Sequence, residues 1–160
     1  MPQIMRSEKL LICDDDVIPG HNFIQFFLNA HRKDPYDVLC ARGNIFLPHK
    51  LPQNDCHEIW TNYDCVRFVD DFDDECFVHY VHACTCLIPK VALREVSSIE
   101  PPDESFWLVD DYWLSYVLSS KFNRSLRKLR ISPDVFARCP EIMNQVPKKL
   151  LNLDGNKWQC

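Results

Sequence analysis

Glycine is scarce in this chain: Gly20, Gly43 and Gly155 are the only three in 160 residues. They are too few and too scattered to build a G-x-G-x-x-G turn or a G-x-x-x-x-G-K-[ST] loop, both of which bring backbone against phosphate. Dinucleotide sites of that kind and P-loops are excluded. Long apolar runs are lacking too. The longest stretch without Asp, Glu, Lys or Arg, Val17 to His31, covers 15 residues and contains His21, Asn22 and Gln25, short of the roughly 18 apolar residues a membrane helix needs. No bilayer span is expected. The start, Met1 to Glu8, lacks the charged-then-apolar pattern of a secretory signal. Positive charge is also in deficit, with 18 Lys and Arg against 23 Asp and Glu for a net charge of -5. There is no global positive field to gather a phosphate backbone, so nucleic acid is not an expected partner.

What is present suffices for one core. At roughly 100 to 200 residues per domain the length is that of a single domain, and 46% hydrophobic with 12% aromatic content supplies the material. Nine cysteines, an odd number at irregular spacing, cannot form a fully paired framework and leave the redox compartment open. Asn123-Arg124-Ser125 fits a glycosylation acceptor, relevant only on the secretory route.

The hydrophobic pattern divides the chain into short elements. Lys9 to Cys13 reads as a buried strand that ends abruptly at Asp14-Asp15-Asp16. Phe23, Ile24, Phe26, Phe27 and Leu28 predict a helix running to about Arg32 and stopped by Asp34-Pro35. Tyr36 to Ala41 reads as a second buried strand, giving the strand, helix, strand order of an α/β layer. Gly43 to Tyr63 has no sustained period and reads as a loop covering a site. Cys65 to Val69 and Cys76 to Ile88 are β-rich, separated by the acidic turn Asp70 to Glu75, and are expected to pair as neighbours. A short helix is expected over Lys90 to Val96. A clearer one covers Asp110 to Phe122, with Trp113, Leu114, Val117 and Leu118 on one face. Leu126 to Ile131 is a basic stretch with strand character, and the tail from about Pro147 is expected to be loosely held.

Two acidic groups carry the chemistry. Three adjacent carboxylates repel one another unless water or a cation screens them. A hard divalent ion such as magnesium or manganese suits their oxygens and leaves coordination positions for a diphosphate. If the strand geometry continued, Asp14 and Asp16 would point to one side and Asp15 to the other; the plain alternative is a solvated acidic turn. Asp110-Asp111 opens the later helix, where Asp caps free backbone N–H groups or serves as a general base beside a metal-bound electrophile.

Lys9 to Pro19 resembles the strand and D-x-D motif of GT-A fold glycosyltransferases of the family 2-like kind. Trp107 to Ser115 resembles their later acidic helix start, and Phe77 to Pro89 is similar to the stretch that builds the acceptor side of the pocket. The likeness covers roughly Lys9 to Ile131, with the motifs in matching order. It implies an α/β chain with a partial GT-A (nucleotide-diphospho-sugar transferase) fold, a mixed β-sheet flanked by helices. Residues 1–135 would be the C-terminal half of the catalytic core, beginning just before the D-x-D motif, and 136–160 a tail. The N-terminal nucleotide-binding half would be largely absent, and such a portion is expected to transfer little or no sugar by itself.

By the same resemblance Asp16 would be the main ligand of Mn²⁺ or Mg²⁺. Asp14 would reach the metal through water or touch the nucleotide ribose, with Asp15 beside it on the cofactor side. Asp111 would be the catalytic base and Asp110 its fallback. The implied reaction is an inverting transfer from a nucleotide-diphospho-sugar donor to a hydroxyl of a glycan, lipid or protein acceptor. The implied location is the Golgi or ER lumen if an anchor precedes these residues, and the cytoplasm otherwise.

Two other readings compete. His79, His82, Cys84 and Cys86 could hold a structural zinc. On a strand, however, His79 falls on the face opposite the other three, and Cys-x-Cys is tighter than common zinc spacings. The acidic run Asp70 to Glu75 could instead make the chain a non-enzymatic interaction module, with the basic patch Arg124, Arg127, Lys128 and Arg130 pairing with it internally or meeting phosphates.

Overall fold

The computed structural model describes residues 7–15, 17–47, 66–103 and 110–138. It is mixed α/β. The central sheet has five strands in the order β1 (Lys9–Cys13), β8 (Thr85–Pro89), β3 (Val38–Cys40), β9 (Leu126–Lys128) and β6 (Cys76–Phe77). Strand β8 is antiparallel to both β1 and β3, β3 is parallel to β9, and β9 is antiparallel to β6. Strands β1 and β3 therefore run the same way with β8 between them, and helix α1 (Phe23–Lys33) lies between them in the chain. A three-stranded antiparallel sheet joins β5 (Val66–Val69), β4 (Gly43–Phe46) and β7 (Tyr80–Val81), and β2 (Val17–Pro19) pairs with β10 (Phe136–Arg138).

Alternation along the strands explains why both faces of the central sheet are covered. Leu39, Leu87 and Leu129 pack with Phe23 and Phe27 of α1 and with Phe136. On the other face Val38, Cys40, Cys86, Ile88 and Leu126 pack with Ala92 of α2 (Lys90–Ser97) and Leu114 of α3 (Asp110–Tyr116). Helix α3 continues as a π-helical segment, Val117–Lys121, whose Leu118 joins the same cluster. A strand buried on both faces carries a near-continuous apolar run, and every residue of β3 and of β8 is buried. Full burial of a side chain the size of Phe27 contributes about 1.5–3 kcal/mol.

Strand β1, helices α1 and α2 and the apolar face Trp113, Leu114, Val117, Leu118 stand where the pattern puts them. Four expectations change. β1 is an edge strand with Leu10 exposed, so it is only partly buried. The expected loop from Gly43 begins as strand β4, held between β5 and β7; residues 48–65 lie outside the described set. A side chain is barred at Gly43, where a Cβ would lie 2.7 Å from the Tyr80 carbonyl oxygen.

The two β-rich segments do not pair with each other. Cys76 to Ile88 breaks into β6, β7 and β8, which belong to two different sheets, while β5 pairs with β4. Finally, the chain turns at Asp14, whose carbonyl accepts from Val17 N at 3.2 Å. The strand geometry that would have aligned Asp14 with Asp16 stops there. The packed body runs through β10, and 139–160 lies outside the described residues.

Candidate functional site around the β7–β8 connection

The short connection from His82 to Cys84 links β7 to β8, with Asp14 bonded at its β8 end and Asp111 bonded to Tyr80 of the strand before it. On one side the backbone N–H of Asp14 donates to the Cys84 carbonyl at 2.7 Å, extending the β1–β8 register beyond Cys13↔Thr85. On the other, the Tyr80 hydroxyl of β7 donates to Asp111 Oδ2 at 3.3 Å. The first turn of α3 is fixed there by Ser115, which donates to the Asp111 carbonyl at 2.7 Å and accepts from Val81 N at 3.0 Å. Aromatic rings complete the wall: Tyr80 stacks on Tyr112 at 4.1 Å and meets the His82 ring edge-on at 4.9 Å. His82 Nε2 lies 3.5 Å from Asn44 Oδ1.

The electrostatics register the same convergence. The Cys86 thiol is pushed up by burial first, then by the charges of Asp111, Cys84 and Asp14. Two carboxylates almost a hundred positions apart thus act on one buried group. Burial, then Asp111, then Tyr112 push the Tyr80 phenol up as well, so it stays protonated and donates. Cys40, opposite Cys86 in the β3–β8 register, is raised chiefly by burial. Both buried thiols are protonated at neutral pH.

Of the expected site residues, Asp14 and Asp15 are exposed and Asp111 is partly buried. Asp110 is the first residue of α3, and only its backbone is described; Asp16 lies outside the described residues. Among the described residues no three His, Cys, Asp or Glu side chains come together to hold a metal. The donor chemistry still fits a hard ion, because magnesium is commonly held by one or two carboxylates with the remaining positions left to water and substrate phosphate.

The zinc grouping has a different outcome. The strand geometry weighed against it is interrupted between Val81 and Thr85, but His79 Nδ1 accepts from Phe46 N at 3.0 Å.

The acidic run Asp70 to Glu75 is engaged internally by cations. Arg42 bonds Asp70 at 2.8 Å and the buried Asp71 at 2.9 Å. Lys128 donates to the Asp73 carbonyl, Arg127 meets Glu75 at 2.8 Å, and Arg130 meets Asp74 at 3.1 Å. Arg124 grips Glu95 through two bonds of 2.5 and 2.6 Å. The basic patch is thereby committed to intramolecular pairs.

Tyr80, Ser115 and Tyr112 were not singled out from the sequence. One signal was available: Asp111 and Ser115 stand four apart, hence on one face of a helix. No family model matches the chain, and no curated protein matches it in sequence.

Proposed function

We propose that this chain is the acceptor-side portion of a metal-assisted glycosyltransferase of the GT-A kind, acting on a nucleotide-diphospho-sugar and an acceptor hydroxyl. One observation carries the reading: Asp14 is bonded through its backbone to Cys84 at the start of β8, while Asp111 accepts from Tyr80 of β7, so both acidic motifs meet the same pair of successive strands. The mixed sheet covered by helices on both faces supports it, and so does the internal pairing of the acidic run, which weakens the case for a docking module.

In the proposed reaction the Asp111 carboxylate takes the proton of the acceptor hydroxyl as its oxygen bonds to the anomeric carbon. The bond from that carbon to the diphosphate oxygen breaks, and its electron pair leaves with the diphosphate. Tyr80, held protonated, orients the carboxylate through its hydrogen bond, and Ser115 fixes the helical turn that carries it. Asp14 and Asp15, with Asp16, would hold Mn²⁺ or Mg²⁺, which when bound neutralises the departing diphosphate.

The test is thermal unfolding of the chain with manganese chloride, with UDP or GDP, and with both together. A ligand a hundredfold above its Kd adds about 2.7 kcal/mol, which for a chain of this size raises Tm by roughly 5–10 °C. The proposal expects a rise that needs metal and nucleotide together, is lost in Asp14→Asn and survives in Asp111→Asn. No rise, or a rise that Asp14→Asn leaves intact, overturns it.

A further inference from the structure

We propose that the cavity between β4, β7 and the α3–π helix is the acceptor subsite and takes a neutral hexopyranose ring of a glycan; the assignment of a role to that ring rests on the transferase reading above. The cavity has a volume of about 400 Å³, within the range of small-molecule sites. Phe46 and His79 bound it on one side, their rings stacked at 5.9 Å and 26°. Tyr80, Tyr112 and the half-exposed Tyr116 form the other.

Three features select the ligand. First, among the described residues no Asp, Glu, Lys or Arg lines the cavity, which favours a neutral ligand over a phosphate or carboxylate entering without a counter-charge. Second, the faces of aromatic rings carry negative potential and match the C–H-rich faces of a pyranose. The hydroxyls of Ser119 and Ser120 on the helical wall match its hydroxyl edge, which a lipid chain does not need. Third, the cavity adjoins Asp111 through one residue, because the same Tyr80 that walls it bonds Asp111 at 3.3 Å.

The helix geometry is an independent pointer. Ser119 and Ser120 lie on the π-helical segment, and π turns inside helices occur frequently at functional sites. Ser119 Oγ donates to the Ser115 carbonyl at 2.7 Å, which directs its oxygen lone pairs away from that bond and free to accept from a ligand hydroxyl.

The experiment is saturation-transfer NMR on the whole chain without metal, using the methyl glycosides of glucose, galactose, mannose and N-acetylglucosamine, with 1-octanol as the lipid-like probe. At least one glycoside should receive saturation, and the signal should fall at least fivefold in Tyr116→Ala and in Ser120→Trp. Both positions are solvent-facing; the Tyr116 ring also meets the buried Trp113 at 5.8 Å, so Ser120→Trp is the variant that leaves the core contacts in place. Asp14→Asn should keep the signal. No transfer to any glycoside, transfer to 1-octanol alone, or a signal unchanged in both cavity variants overturns the inference. Saccharide binding without the manganese and nucleotide response would sink the transferase reading and leave the cavity assignment standing; the reverse would sink only the cavity.

Discussion

The Ser115 hydroxyl accepts the backbone N–H of Val81 at 3.0 Å and donates to the Asp111 carbonyl at 2.7 Å, so one buried oxygen ties α3 to β7. Val81 is fully buried, and its N–H has no water to turn to if that oxygen is removed.

Ser115→Ala should therefore destabilise the fold by about 1–3 kcal/mol, the cost of orphaning a buried donor. Urea unfolding would show this as a lower midpoint with an unchanged slope. An unmoved midpoint would mean that Val81 N–H is satisfied elsewhere.

Gly20 packs against the backbone of the β10 approach. A Cβ there would lie 2.2 Å from the Asp134 carbonyl oxygen and 2.9 Å from that of Val135, and Gly20 N donates to the latter at 2.8 Å. Gly20→Ala must push β2 away from β10, at a cost on the order of 1–3 kcal/mol. Amide exchange of Val17, Ile18 and Gly20 should quicken in the variant.

Lys128 is fully buried and donates to the Asp73 carbonyl. Burial lowers its pKa, against the upward pull of Asp73, Cys76 and Asp71. Lys128→Met removes the buried cation but leaves that carbonyl without its bond, so a loss of about 1–3 kcal/mol is expected. Faster exchange of the Asp73 and Glu75 amides would show that the acidic turn has been released.

His31 makes stability depend on pH. It is buried near the end of α1, its Nδ1 has no hydrogen-bond partner among the described residues, and burial, then the charge of Lys9, lower its pKa below 6.5. Between the lowered folded value and 6.5 the unfolded chain binds the proton and the folded one resists it, so this contribution rises with pH and levels off above 6.5. Wild type should lose stability on going from pH 7 to pH 5, and His31→Leu should lose less. Equal losses in urea titrations at the two pH values would remove His31 from the effect.

Much of the fold was legible because its strongest signals are local. Four apolar residues, Leu10 to Cys13, cut off by three aspartates mark β1, and an apolar stripe marks α1. The face Trp113, Leu114, Val117, Leu118 marks the last helix. What escaped depends on partners distant in sequence. Gly43 and Asn44 are poor strand formers by themselves and become a strand because β5 and β7 bracket them. The segment from Cys76 to Ile88 is β-rich throughout, but its pattern does not reveal that three short strands serve two sheets. The pairing of Val17–Pro19 with Phe136–Arg138 is equally non-local.

The site divides in the same way. Both acidic motifs were legible as charge clusters, whereas Tyr80, Tyr112 and Ser115 acquire their roles only when β7 packs against α3. The basic patch had two readings in the sequence; Arg127, Lys128 and Arg130 meet the acidic run, and Arg124 pairs with Glu95 outside it.

The most direct measurement is paramagnetic broadening of assigned amide signals by substoichiometric Mn²⁺ in the presence of UDP or GDP. The account predicts the strongest broadening at Asp14 and Asp15, extending across His82 to Cys84 to Asp111, with the Asp70 to Glu75 turn spared. Broadening centred on that turn, or reaching Asp14 but not Asp111, would contradict it.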